Sequence, residues 1–182
     1  GRVGVFKSAA YMTRGKLKSL HIFLAAVLIL SAFLPAGVSA FPVTVGNISF
    51  TEVKAVSPSG TVDMAPGDKG VSDEVYRITM SFDSAFTPVS GSSLAGIRVI
   101  ANGSADETYK FDIAYSGGNL TLTLKNHNEP VPPYRLLKHS LYCIAIPANT
   151  FRKSDSSVPG GTVYNTAVNY VFVTAGDGSY PS

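Results

Sequence analysis

The sequence predicts an all-β protein, an antiparallel sandwich of about seven strands, and three observations support this prediction. Apolar residues after residue 40 recur at every second position, which is the period of a strand with one buried face. The segments between these runs are rich in Gly, Pro, Ser and Asn. No window after residue 40 has the 3.6-residue period of an amphipathic helix. The pattern leaves an eight-stranded barrel open as a second architecture.

The strands are placed by this alternation. In one run Ile78, Met80 and Phe82 share a face, and in 120–124 Leu alternates with Thr. The full set of predicted strands is 48–56, 78–82, 97–101, 109–115, 120–124, 140–146 and 167–174. Two sheets made from these strands would bury their alternating faces against each other.

A hairpin at 107–125 is the most specific local prediction. Gly117 and Gly118 lie between two alternating runs, and they supply the positive φ angles that a two-residue turn requires. The run before the turn places Tyr109 and Tyr115 on the buried face.

Residues 12–40 have the organisation of a secretory signal peptide. A basic stretch follows Met12, an apolar run covers 22–34, and small residues precede a cleavage position between Ala40 and Phe41. The run is shorter than the roughly 20 residues of a spanning helix. We therefore expect a helical signal that is cleaved, so that the mature chain is secreted and leaves the membrane. Residues 1–11 precede the expected start at Met12 and do not enter the fold prediction.

The basic charge of the chain belongs to this leader. The formal charge is +3, but five of the 15 Lys and Arg residues precede residue 41, and no acidic residue does. From residue 41 onward there are ten basic and twelve acidic residues, a net charge of −2. This balance lacks the cationic surface that nucleic acids require, so no nucleic-acid partner is expected.

One domain is expected at 41–175, because this length is sufficient for a single core. Residues 176–182 are small and polar, and we interpret them as the start of a linker to further domains of a longer protein. Cys143 is the only cysteine, so no internal disulfide is possible. An exported chain without disulfides favours a bacterial or archaeal origin.

Four short motifs follow one another along the predicted strands: VSPSGTVDM, ITMSFDSAF, LYCIAIPANTF and NYVFVTAGD. Their order resembles that of the bacterial Ig-like domains of S-layer and other cell-surface proteins, the SbsA-type family. The resemblance covers 53–177. One departure is Lys138-His139, which stands where the family has Pro-Gly and leaves the turn before the strand tyrosine undefined. The resemblance implies an Ig-like β-sandwich that acts as a spacer, stalk or adhesion module, with no catalytic residues to transfer.

Cys143 is the residue that most resembles a catalytic nucleophile, because His139 stands four positions before it. Along a strand four residues span about 13 Å, which is too far for a thiolate–imidazole hydrogen bond. Both faces of 140–146 are apolar apart from the hydroxyl of Tyr142, so we interpret Cys143 as a buried small hydrophobic residue. The Tyr142 hydroxyl is expected to bond to upstream backbone, as in a tyrosine corner.

The sequence contains no other catalytic or metal-binding pattern. No Gly-x-Ser-x-Gly motif occurs, and His127 and His139, the two histidines after the leader, are interpreted as solvated surface residues. The loop 63–74 offers carboxylates of the kind that calcium prefers, but their spacing matches no known calcium loop and Lys69 intrudes. These weak calcium candidates are Asp63, Asp68, Asp73 and Glu74. We therefore predict no catalytic residue, no metal site, no cofactor and no enzymatic activity.

Two functions remain open from the sequence. The first is an exported, non-catalytic Ig-like module that spaces or presents neighbouring domains of the same polypeptide at a bacterial cell surface. The second is a polysaccharide-binding accessory module of a secreted enzyme, with cell-wall or surface polysaccharide as its partner. Sugar platforms are built from exposed aromatic side chains, above all Trp, which this chain lacks. Tyr134 is the one candidate for stacking on a sugar ring.

Overall fold

The computed structural model describes residues 44–130, 132 and 134–176. The chain divides into two units, Gly1–Ala40 and Phe41–Ser182, and the described residues all belong to the second. The predicted signal peptide at 12–40 and all but the first residue of the predicted linker at 176–182 therefore lie outside the described residues.

Fourteen strands form three sheets in the described part of the chain. In chain order they are β1 (Thr44–Gly46), β2 (Phe50–Ser57), β3 (Gly60–Asp63), β4 (Lys69–Val71), β5 (Arg77–Phe82), β6 (Thr87–Pro88), β7 (Arg98–Ala101), β8 (Ala105–Asp106), β9 (Phe111–Ser116), β10 (Asn119–Leu124), β11 (Leu141–Ile146), β12 (Phe151–Ser154), β13 (Thr162–Asn165) and β14 (Val168–Thr174). Sheet A has the order β1-β13-β12-β6, sheet B the order β3-β2-β5-β10-β9, and sheet C the order β4-β14-β11-β7-β8.

Sheets B and C pack face to face around one hydrophobic core, which confirms the predicted all-β sandwich. Every second residue of their central strands points inward and is buried. These core residues include Val53, Ala55, Ile78, Met80, Leu120, Leu122, Val99, Ala101, Tyr142, Ile144, Tyr170 and Phe172. Between the sheets, the Phe50 ring meets the Tyr170 ring edge to face at a centroid distance of 5.8 Å. Each sheet has two edge strands, so these sheets do not close into the alternative barrel.

All seven predicted strands are present to within two residues at each end, as β2, β5, β7, β9, β10, β11 and β14. The other seven strands are only two to four residues long. The predicted inward position of Tyr109 is wrong. A 3-10 helix at Thr108–Lys110 precedes β9, so Tyr109 lies outside the strand alternation and is 60% exposed. No helix among the described residues has the length and apolar character to cross a membrane.

The hairpin between β9 and β10 is confirmed. Gly117 and Gly118 have φ angles of 55° and 87°, and Ser116 pairs with Asn119 across a two-residue turn. A Cβ atom at Gly118 would lie 2.7 Å from the carbonyl oxygen of Phe82. The Gly118 carbonyl in turn accepts a hydrogen bond from the Phe82 N–H at 2.9 Å. Glycine at this position therefore closes the turn and lets it dock on the end of β5.

A long antiparallel ribbon connects sheets C and A. One side consists of β11 and β12, and the other of β13 and β14. Leu141 pairs with Val173 at one end, and Ser154 pairs with Thr162 at the other. The ribbon is interrupted once, where residues 147–150 separate β11 from β12.

At this interruption, hydrogen bonds from the buried Asn165 side chain hold the two sides of the ribbon together. This side chain is completely buried. The Oδ1 atom accepts a hydrogen bond from the Phe151 N–H at 2.7 Å, and Nδ2 donates to the carbonyls of Pro147 at 2.9 Å and Thr166 at 2.7 Å. The buried amide is thus satisfied by three backbone groups, of which the Pro147 carbonyl also accepts from the Thr150 hydroxyl at 2.8 Å.

The first and the last strands of the described chain run in the same direction through the sandwich. β1 pairs in parallel with β13, and Thr44 lies opposite Val163. After a break of two residues β13 leads into β14, which ends at Thr174. The extended path from Val163 to Thr174 is at most about 36 Å long. The chain therefore runs in one direction through β1, β13 and β14, and β14 continues away from the position of Thr44.

Candidate functional site

Cys143 lies at the centre of the outer surface of sheet C. β11 is the middle strand of that sheet, and its Tyr142, Ile144 and Ile146 point into the core. Cys143 points the other way and is partly exposed. The prediction that Cys143 is buried is therefore wrong, because the described residues leave the outward side of β11 uncovered.

Cys143 and His139 do not form a nucleophile–base pair. The Cys143 Sγ atom contacts Oδ1 of Asn169 on β14 at 3.8 Å. The exposed ring of His139 lies against Gly176 instead, where a Cβ atom would come within 1.3 Å of Nε2. Partial burial raises the pKa of the Cys143 thiol, which lowers the fraction of reactive thiolate at neutral pH.

The predicted role of Tyr142 is confirmed. Its hydroxyl accepts a hydrogen bond from the upstream Leu137 N–H at 2.8 Å. The ring stacks on Phe172, with centroids 5.4 Å apart and an interplanar angle of 9°. Burial raises the pKa of Tyr142. Thr174 donates from Oγ1 to the Leu137 carbonyl at 2.5 Å, so the corner joins the start of β11 to the end of β14.

His127 is half-buried, so its interpretation as a solvated residue is wrong. Its ring stacks on Tyr76 with centroids 4.7 Å apart and an interplanar angle of 6°. Its Nδ1 atom lies 3.0 Å from the Leu124 carbonyl oxygen. Asn126, with a φ angle of 55°, turns the chain after β10 and brings the imidazole back over the sheet end. His139, by contrast, is exposed as predicted.

The four calcium candidates are divided between two places. Asp63 and Asp68 line an open groove beside β3. Asp73 and Glu74 line a separate cleft, where Glu74 forms an ion pair with Arg135 at 3.6 Å. Within the described ranges, no three or more His, Cys, Asp or Glu side chains come together as ligands for a metal ion. The loop therefore does not gather its carboxylates around one point.

A shallow cleft opens where β5 begins and β10 ends. The residues that give it its chemical character are Asp73, Glu74, Tyr76, His127, Tyr134 and Arg135, and we call it the aromatic cleft. At the edge of the cleft, the Tyr134 ring contacts the exposed ring of Tyr109 edge to face, with centroids 6.1 Å apart. The volume of the cleft is about 60 Å³, well below the roughly 300–1,000 Å³ of small-molecule pockets.

The aromatic cleft is suited to surface contact and not to enclosing a ligand. Its rings and carboxylates match what a sugar offers, because aromatic faces pack on apolar C–H groups and carboxylates accept hydrogen bonds from hydroxyls. Sequence reasoning identified Tyr134 but missed Tyr76 and Tyr109. Tyr76 and His127 are 51 positions apart, so no local pattern connects them. The exposed Tyr109 was hidden by the apparent alternation of β9.

A scan against protein-family models finds no match for this chain, and a search of curated proteins finds no similar sequence. The function is therefore inferred from the fold, the surface and the order of motifs.

Proposed function

We propose that this chain is an exported, non-catalytic Ig-like module of a bacterial cell-surface protein, and that it spaces or presents neighbouring domains. The observation that carries this proposal is the parallel pairing of β1 with β13, which leads into β14. A chain that enters at one end of a sandwich and leaves at the other separates its flanking segments by the length of the sandwich. Domains joined before Thr44 and after Gly176 are then strung in line.

The same pairing suits a tether under tension. Pulling the chain from both sides loads the hydrogen bonds between β1 and β13 together, along the direction of the strands, instead of one after another. β13 is in turn held in the ribbon by β12 and by the contacts of Asn165. The path of the force therefore runs through paired strands and not through loops.

The sequence adds further support. The expected signal peptide directs the chain out of the cell, and the net charge of −2 after residue 40 suits a solvated surface module. The four motifs occur in the order of the SbsA-type Ig-like domains, which the family uses as spacers and adhesion modules.

A replacement experiment tests the spacer function. A reporter epitope is displayed on cells after the full chain, after a chain without residues 44–176, and after a chain in which an unrelated sandwich of equal length replaces them. A spacer predicts that deletion reduces antibody access to the epitope and that the unrelated sandwich restores it. Unchanged access after deletion would show that spacing is not the function. Failure of the replacement to restore access would show that the module has a specific partner.

The aromatic cleft favours a second candidate, a polysaccharide-binding accessory module. Tyr134 and the carboxylates of Asp73 and Glu74 line the same cleft, and an exposed Tyr109 extends its aromatic surface. The test is retention of the full chain on insoluble cellulose, chitin and peptidoglycan. This function predicts that Tyr134→Ala weakens retention about tenfold, while Tyr164→Ala on β13 leaves it unchanged. If the unaltered chain is retained by none of these polymers, this candidate is wrong.

A further inference from the structure

The outer surface of sheet C carries an apolar patch. In the strand register Val171, Cys143 and Ile100 form one row across β14, β11 and β7, and Val173 and Leu141 form the next row. We call these five residues the sheet C patch. Leu141 is 47% exposed, and the other four are partly exposed.

Sheet B provides an internal standard for this exposure. Thr79 and Thr121 occupy outward positions on β5 and β10, two of its three inner strands, and they are partly exposed, as Cys143 and Val171 are. The outward side chains of both sheets are therefore partly exposed, although those of the sheet C patch are apolar, as on a covered surface.

Opposite charges flank the patch on its two sides. On the β4 side, Gly70 has a φ angle of 80° at a bulge, and Lys69 pairs with Val173 and shares its outward direction. On the β8 side, Asp106 pairs with Ile100 and shares its outward direction. Arg98 lies 3.8 Å from the Asp106 carboxylate and partly balances it.

We propose that the sheet C patch binds a second copy of this chain, face to face, about a two-fold axis parallel to the strands. This rotation brings the β4 side of one copy opposite the β8 side of the other, so Lys69 of each lies one row, about 7 Å along the strands, from Asp106 of its partner. It also brings the two patches together, with Cys143 near the axis because β11 is the central strand. The contact goes beyond the spacer function and does not depend on it.

The small size of the face is typical of a weak contact. The five strands of sheet C contain 22 residues, and with strands about 4.8 Å apart and a rise of about 3.3 Å per residue they make a face of about 350 Å². Two such faces bury about 700 Å², less than the roughly 1,200–2,000 Å² of stable complexes. We therefore expect a weak dimer, with a dissociation constant of about 0.01–1 mM.

The single thiol reports directly on the contact. Packed sheets lie about 10 Å apart, so two Cys143 side chains across the axis lie within reach of a short bismaleimide. The full chain is treated with this reagent over a range of protein concentrations and analysed under denaturing conditions. The expected result is a cross-linked dimer that increases with concentration and is absent in Cys143→Ser. In the Cys143→Ser background, Thr121→Cys places the thiol on sheet B and is expected to give no dimer.

Matched charge substitutions identify the surface. Val171→Lys and Thr121→Lys place the same group at outward positions beside the central strand of each sheet. In sedimentation equilibrium of the full chain, Val171→Lys is expected to weaken dimerisation at least tenfold and Thr121→Lys less than twofold. Lys69→Glu is expected to weaken it about twofold to fivefold at low salt.

Three results would overturn the proposal. One is the absence of any dimer at about 1 mM protein. Another is equal cross-linking from position 143 and from position 121, which would indicate random collision. The third is an equal response to Val171→Lys and Thr121→Lys, because the contact would then lie elsewhere.

Discussion

The central strands of the two five-stranded sheets, β5 and β11, occupy equivalent places in the sandwich. Each is six residues long, and their burial alternates in the same way from first residue to last. On the inner side both are large and apolar. On the outer side they differ, because β5 presents Arg77, Thr79 and Ser81 while β11 presents Leu141, Cys143 and Ala145.

This difference shows which residues must be apolar for the sandwich to fold and which need not be. The inner residues must be apolar in both sheets, since burying them provides the main stabilisation of the sandwich. The outer residues carry no such requirement, and sheet B shows that Thr and Ser are sufficient there. An apolar outer face on sheet C therefore points to a role outside the folding of the chain itself.

The inner faces should respond alike to truncation. Ile78 on β5 and Ile144 on β11 are 2% and 0% exposed. Ile78→Ala and Ile144→Ala should each lower the free energy of unfolding by about 3 kcal/mol, because each removes buried methyl groups and leaves a cavity. Urea unfolding followed by circular dichroism measures both values. A loss in only one sheet would show that the two sheets do not share one cooperative core.

The ribbon that extends sheet C should depend on one buried amide. Asn165→Ala should cost about 2–3 kcal/mol, since it leaves the Phe151 N–H and the Thr166 carbonyl without this partner and removes one of the two hydrogen bonds to the Pro147 carbonyl. Hydrogen exchange should show the loss of protection concentrated in β12 and β13. Asn169→Ala, on the exposed side of β14, is the control and should change stability by less than about 0.5 kcal/mol.

The hydrogen bond that joins Tyr170 of sheet C to the loop after β3 of sheet B should be lost at high pH. Tyr170 on β14 donates to the carbonyl of Met64, which follows β3, at 2.6 Å. Burial, and then the charge of Asp68, raise the pKa of Tyr170 to about 12, from 10.0. A raised folded-state pKa means that stability is complete below pH 10 and is lost as pH rises toward 12.

Urea unfolding at pH 9 and pH 11.5 tests this dependence. The stability advantage of the unaltered chain over Tyr170→Phe should shrink between the two pH values. A constant difference would mean that the phenol does not titrate with the sheet contact.

The smallest effect on stability should come from exchanging polar and apolar side chains between the outward positions of the two sheets. Thr79→Val on β5 and Val171→Thr on β14 should each change the free energy of unfolding by less than about 0.5 kcal/mol, because both positions are partly exposed and lie in sheet interiors. Thermal melts at low protein concentration give the comparison. A loss above about 1 kcal/mol in Val171→Thr would show that the outer face of sheet C contributes to the fold.

The strands that could be predicted from the sequence are those with a long enough alternation. The run from Ile78 to Phe82 and the Gly117-Gly118 turn are local patterns, and the structure contains both. β4, β6 and β8 are two or three residues long, so they have no period to detect. They exist because longer neighbouring strands offer them hydrogen-bonding edges, and this information is not local.

The surface features could not be predicted from the sequence, because they too depend on how distant parts of the chain pack. Both faces of β11 are apolar, and a covered sheet was the natural expectation, whereas the structure leaves Cys143 partly exposed. The aromatic cleft joins Tyr76 and Tyr134 from distant parts of the chain. The Tyr142 corner was predictable, because the hydroxyl of a buried tyrosine must find a partner and the nearby upstream backbone supplies one.

The central functional claim is that the chain enters and leaves the module at opposite ends. It is tested most directly by a distance between spin labels at Thr44→Cys and Ala175→Cys in a Cys143→Ser background. The in-line arrangement of β1, β13 and β14 predicts a distance of about 30 Å or more. A distance below about 15 Å would place both ends at one pole and contradict the spacer function.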